Sequence, residues 1–166
     1  FRILWLMEAL GVDYDIKHYE RDKKTRLAPA EYKAISPLGT APVITDGDVT
    51  LSETNAIMDY ILDTYDTDHV LRPEGGTPER ASYLFWFHAA QGSMMPLLLF
   101  RAVFGMIMTR TPLILKPIIG KVLGKAEQGF VTPRMGAILD KAENDLGAGP
   151  WFAGDRLTAA DIVMSY

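Results

Sequence analysis

The first ten residues place Ile3, Leu6, Met7 and Leu10 at helical spacing. Gly11 follows as a stop signal. Residues 13–19 (DYDIKHY) switch to apolar–polar alternation, which predicts a strand. The charge run at 21–26 predicts an exposed loop, and residues 29–35 predict a short helix with proline at its start. Pro42 precedes the apolar pair Val43-Ile44, and Asp46-Gly47-Asp48 separates that pair from Val49-Thr50-Leu51. An Asp-Gly step between two short apolar runs predicts a hairpin, with Pro42 in the turn before its first strand. Thr54, Ile57, Met58, Ile61, Leu62 and Tyr65 then return to helical spacing. Ser52 is read as the N-cap of that helix, with Glu53 as an acidic residue in its first turn.

Beyond residue 66 the pattern changes. Residues 67–78 are rich in Pro, Gly and charge and mark a boundary between segments. Nothing from Pro78 onward reads as a strand. Residues 79–108 predict one long helix or two, and 94–108 (MMPLLLFRAVFGMIM) are strongly apolar. Pro96 and Arg101 interrupt that run, and a span needs ~20 apolar residues. It is therefore read as a buried helix lining an apolar pocket rather than a span; membrane contact is disfavoured at 111–123 as well, where Arg110, Lys116 and Lys121 flank apolar residues but the stretch is short. Residues 111–123 hold two prolines and a glycine and read as a short helix or an irregular, amphipathic piece. Val131, Met135, Ile138, Leu139, Ala142 and Leu146 predict another helix, stopped at 147–150. Residues 151–155 (WFAGD) read as a turn with an aromatic anchor, and Thr158-Ala159-Ala160-Asp161 as a capping box.

Composition narrows the function. The 166 residues carry a formal net charge of −4 and contain no cysteine. A dithiol redox pair, a disulfide framework and a zinc knuckle are excluded for these residues. Mild acidity gives no reason to expect nucleic acid binding, which usually shows as a basic patch. Helical periodicity begins at Phe1 without a cap, and the last residues start a helix and stop within it, so the chain is expected to be a fragment of a longer one.

The chemistry concentrates at residues 52–54. A helix opening directly after a strand presents free backbone N–H groups that accept a carboxylate or phosphate. Glu53 beside it offers a negative group to an ammonium, and the pair suits the zwitterionic head of an amino acid. Capping alone is the plainer reading of the same residues.

Ala41-Pro42-Val43-Ile44, followed after a hairpin by Glu53-Thr54 at a helix start, resembles the glutathione-binding half of a glutathione S-transferase of bacterial cytosolic type. FRILWLMEALGVDYDIKHYERD and the Thr158–Asp161 box are similar to the same family. The resemblance implies an α+β chain with a thioredoxin-like N-terminal domain over 1–68, its first strand missing from this chain, and an all-α substrate domain over 78–166. It implies that Pro42 is cis and that Val43 pairs its backbone with the cysteinyl unit of glutathione. Glu53 and Thr54 would hold the γ-glutamyl head. Thr40 stands where many relatives carry a lysine facing the glycine carboxylate. The catalytic hydroxyl or thiol is expected just upstream of Phe1, outside the residues named here. Met94, Met95, Leu98 and Phe104 are candidates for the wall that holds a hydrophobic electrophile. The family implies a cytoplasmic, homodimeric detoxification enzyme that uses glutathione as co-substrate and no metal. Two alternatives keep the fold: a non-catalytic binding or scaffold protein, and a glutathione-dependent isomerase or peroxidase.

Overall fold

The computed structural model describes residues 1–165; Tyr166, the last residue of the expected second domain, lies outside them. Helix α1 (Arg2–Leu10) buries Ile3, Leu6 and Met7 and ends at Gly11, whose φ of 68° is left-handed. Glycine takes that conformation without a Cβ clash. The Gly11 and Val12 N–H groups close the helix end on the Glu8 and Met7 carbonyls. Helix α2 (Ala30–Ile35) follows, with Pro29 as its N-cap rather than its first helical residue.

Strands β1 (Val43–Asp46) and β2 (Val49–Ser52) form an antiparallel hairpin with Val43 opposite Ser52 and Asp46 opposite Val49. The two turn residues are Gly47 and Asp48, and Gly47 carries the positive φ of 55°. Helix α3 (Thr54–Tyr65) buries Ile57, Met58, Ile61 and Leu62, the stripe that the spacing predicts.

Residues 13–19 do not form the predicted strand. Alternation specifies which side chains face inward, whereas a strand also needs a ladder partner. Among the described residues β1 and β2 pair only with each other.

The segment after α3 is well tied down. The buried Asp66 carboxylate accepts from the N–H groups of Val70, Leu71 and Arg72 at 2.7–3.0 Å. Leu71 is itself buried, and its carbonyl accepts from Ala159 at 2.8 Å.

Helix α4 (Pro78–Ala89) passes through a π-helical segment (Ala90–Met94) into α5 (Met95–Arg110) without a break. A turn leads to α6 (Lys116–Ala126), then a second π-helical segment (Glu127–Val131) and α7 (Thr132–Ala148). The uncertain stretch 111–123 is thus an apex turn followed by a true helix, started by Pro117 in its first turn. Residues 151–154 close a small turn in which Phe152, not the more exposed Trp151, is the anchor: its ring lies 4.5 Å from that of Trp86.

Helix α8 (Ala159–Met164) is buried along most of its length and opens with the Thr158–Asp161 capping box. Its apolar residues join Leu6, Ile57, Leu62, Tyr83, Trp86 and Phe87 in one continuous core. Arg2 closes the assembly by donating to the Ser165 carbonyl.

The expectation of a buried α5 fails. Its one buried residue is Leu97, while Leu99, Phe100, Met106 and Ile107 are exposed. Helix α6 has no buried residue at all. Apolar composition predicts burial only where another element lies across the face, and α5 and α6 extend past the shared core.

Candidate functional site

Strand register assembles the predicted residues at one corner. Val43 faces Ser52 across the hairpin, and Glu53 and Thr54 follow Ser52 directly. Facing residues in an antiparallel pair lie ~4.5–5.5 Å apart at Cα. The backbone of Val43 and the N-terminus of α3 are therefore neighbours within reach of one small molecule. The Ala41–Pro42 peptide bond is cis.

The start of α3 differs from the sequence reading. Ser52 belongs to β2, and the N-cap is Glu53, with φ 76° and ψ 122° and no capping hydrogen bond from its side chain. Its carbonyl accepts from Ile57 N–H at 2.9 Å, so the helix is properly begun by its backbone alone. A non-glycine residue at such an angle costs ~1–3 kcal/mol. The geometry leaves the Glu53 carboxylate exposed, beside the opening turn of the helix rather than folded onto it. Thr54 is half-buried next to it.

Thr40 is exposed on the approach to Pro42, and its carbonyl accepts from the Tyr32 hydroxyl at 2.7 Å. The preceding residue, Gly39, has φ 65° and donates to Ser36 at 2.8 Å. Two cations that the sequence reading did not single out reach this turn. Arg21 donates to the Gly39 carbonyl at 3.4 Å and to the Arg26 carbonyl at 3.2 Å. A Cβ added at Gly39 would lie 3.6 Å from the Cε of Lys33. The charge run at 21–26 is folded on itself by Asp22, whose carboxyl is held below its ordinary range by hydrogen bonds from Thr25 and Lys24. That fold is what carries Arg21 to Gly39, and no local sequence pattern announces it.

Asn55 also escaped the sequence reading. Its Nδ2 donates to the Phe87 carbonyl at 2.8 Å, near where α4 gives way to the π-helical segment. Its Oδ1 and the Tyr83 hydroxyl are buried without a hydrogen-bond partner. Burial pushes the Tyr83 phenol far above its ordinary range. Neighbouring Asp59 is raised by burial, against the opposing pull of Arg72. Asn55 thus fixes the start of α3 to the second half of the chain.

The four predicted wall residues lie along the α4–α5 helix. Met94 is buried at 7% exposure within the core, and Leu98 and Phe104 are packed against it. Met95 is half-buried. No group of three or more His, Cys, Asp or Glu able to hold a metal occurs among the described residues.

This geometry matches that of known proteins. A family profile described as "Glutathione S-transferase, N-terminal domain" matches residues 1–63. Glutathione S-transferase 3 of Schizosaccharomyces pombe is 31% identical over 166 residues, covering 99% of this chain and 67% of that protein. The crystal structure of a glutathione S-transferase from Actinobacillus pleuropneumoniae is 32% identical and superimposes with a TM-score of 0.73, covering 99% of this chain and 69% of that one. A theta class glutathione S-transferase from Xanthomonas axonopodis pv. citri, solved with glutathione bound, is 26% identical with a TM-score of 0.65, covering 98% and 72%. The chain spans about two thirds of the length of the first two of these relatives. With a thioredoxin-like N-terminal part around the small hairpin sheet and a helical C-terminal part, the chain belongs to the glutathione S-transferase family.

Proposed function

We infer that the corner formed by Thr40, Pro42, Val43, Glu53 and Thr54 binds glutathione, and that the protein transfers the glutathione thiolate to electrophilic, largely apolar small molecules. The observation that carries this reading is the pairing of Val43 with Ser52, which sets the backbone of β1 beside the N-terminus of α3. A tripeptide backbone adds to the first as an extra strand. Its γ-glutamyl carboxylate rests on the N–H groups of the second, and its ammonium faces Glu53. Glutathione itself is supported by family membership and by the relative solved with it bound.

Arg21 and Lys33 answer the difficulty at Thr40. A hydrogen bond to a charged group contributes ~1.5–3 kcal/mol, against ~1 for a neutral pair. Thr40 alone would leave the glycine carboxylate with the weaker contact. Both cations lie at the adjoining Gly39, so positive charge reaches the same end of the ligand from elsewhere in the chain.

Residues of the helical half hold the electrophile: of the candidate wall, Met95, Leu98 and Phe104 are partly buried and able to face it, while Met94 backs them from within the core. The sulfur attacks an electrophilic carbon, a C–S bond forms, and a leaving group departs or a double bond is saturated. Only the thiolate is nucleophilic enough, so a hydrogen bond to sulfur that lowers the thiol pKa raises the rate. On the family resemblance, the donor of that hydrogen bond is a hydroxyl or thiol expected just upstream of Phe1. Cytoplasmic residence, homodimeric assembly and a role in detoxification rest on the same resemblance.

The test is calorimetric titration of glutathione into the chain and into Glu53→Ala. Loss of the ammonium contact should weaken binding about tenfold, in line with a charge-assisted hydrogen bond. Equal affinity in both proteins removes Glu53 from the site.

A further inference from the structure

We propose that the hairpin of α5 and α6 is a membrane-surface contact that takes an anionic lipid bilayer, with Leu113 and Ile114 entering the interface. The two side chains sit side by side at the apex turn, 83% and 85% exposed. Leu115, Ile118 and Val122 continue the apolar face along α6, which buries nothing within the protein. Met106 and Ile107 of α5 add to it across a groove of about 400 Å³ that Arg110, Pro112, Leu115 and Ile119 also line. Helix 78–110 is long and apolar enough to cross a membrane by length and composition, yet only 11% of its most apolar window is buried.

Charge selects the occupant. Between Glu79 and Glu127 there are six Lys or Arg and no Asp or Glu. The remaining residues hold 11 basic and 21 acidic side chains, a net −10. Four of the six, Arg110, Lys116, Lys121 and Lys125, lie at the apex or on α6 and make the hairpin the basic, apolar end, while Arg80 sits at the far end of α4 and Arg101 pairs with Glu127. Lys121 and Lys125 lie on the same exposed face of α6 as Ile118 and Val122, and Arg110 stands at the end of α5. Aliphatic residues flanked by lysines, whose long stems let the ammonium reach the headgroups, suit an anionic interface. The acidic body is repelled by the same surface, which leaves the apex as the end that approaches.

The backbone is prepared for low polarity. The apex turn closes on itself through Leu115 N–H and Lys116 N–H to the Pro112 carbonyl at 2.9 and 3.2 Å. Thr109 and Thr111 fold their hydroxyls back onto the Met106 and Ile107 carbonyls. A convex apex with two adjacent protruding aliphatic side chains favours a deformable lipid surface over a second protein copy, whose rigid surface would need a hollow shaped to receive them.

The experiment is flotation of the 166-residue chain with vesicles of pure phosphatidylcholine and with vesicles containing 30% phosphatidylglycerol. The chain should float with the anionic vesicles and not with the neutral ones, and should be released by high salt. Lys121→Gln with Lys125→Gln should weaken partition roughly thirtyfold, from ~1 kcal/mol per basic residue near the surface. Leu113→Ser with Ile114→Ser should weaken it at least ~tenfold at unchanged charge. Near-UV circular dichroism of each variant should match the parent, since all four side chains are exposed. Absence of the chain from the anionic vesicles overturns the proposal. So does retention of vesicle binding by Leu113→Ser with Ile114→Ser. Conversion of a lipid-free dimer into a monomer by that double variant assigns the apex to a second copy instead, and overturns it equally.

Discussion

Removing the Asp161 carboxylate should destabilise the protein more than removing the threonine that it faces. One Asp161 oxygen accepts from the Phe152 N–H at 2.8 Å. The other accepts from both the N–H and the hydroxyl of Thr158, each at 2.8 Å. Asp161 is 9% exposed and Thr158 is 0% exposed. Asp161→Ala leaves two main-chain donors without an acceptor, and each such buried group costs ~1–3 kcal/mol. Part of that loss is offset because a carboxylate no longer has to be desolvated. The net expectation is about 2–4 kcal/mol, the cost of two unpaired donors less that offset. Thr158→Ala deletes only a hydroxyl and should cost about 0.5–2 kcal/mol. Urea titrations followed by tryptophan fluorescence measure both, provided the slope with denaturant stays constant. If Thr158→Ala proves as damaging as Asp161→Ala, or Asp161→Ala costs under about 1 kcal/mol, the carboxylate is not the hub of this corner.

Three further outcomes follow from other contacts. Glu53→Gly relieves the positive φ of 76° but adds backbone freedom to the unfolded chain, so urea midpoints should show stability unchanged or higher by about 1 kcal/mol while glutathione titration shows weaker binding. Asn55→Ala removes the donor to the Phe87 carbonyl and should cost about 1 kcal/mol in the same urea assay. At Asp145, burial pushes the carboxyl upward, but hydrogen bonds from Lys141 and the Trp86 indole overcome it and hold the group below its ordinary value of 3.8. A folded-state value below the unfolded one supplies stability above pH 3.8 that is lost as pH falls through the lower, folded value. Acid unfolding of Asp145→Asn should therefore be shallower over that window than that of the parent.

Some of the fold was legible because local rules and tertiary structure agree. Gly11 ends α1 where the periodicity stops, Gly47 turns the hairpin, and Thr158 with Asp161 opens α8. The buried stripe of α3 is likewise the one that its spacing predicts. Residues 13–19 misled because alternation is local and a ladder is not. The apolar run in α5 misled because hydrophobicity reports a preference for burial, not whether a covering element exists.

The candidate site divides in the same way. Pro42, Val43, Glu53 and Thr54 were readable as a motif in sequence, and the register brings them together. The backbone angle of Glu53 was not readable, since no propensity places a glutamate at positive φ. Such a departure from local preference is expected where function rather than stability selects the conformation. Arg21 and Lys33 were missed because their approach to Gly39 depends on how the 21–26 turn and α2 fold, not on spacing along the chain.

The central claim is that glutathione lies along β1 with its head on the first turn of α3. Amide chemical-shift mapping during a glutathione titration tests it most directly. The account predicts saturable shifts at the backbone amides of Val43, Thr54 and Asn55. Shifts confined to other residues, or none at millimolar glutathione, would contradict it.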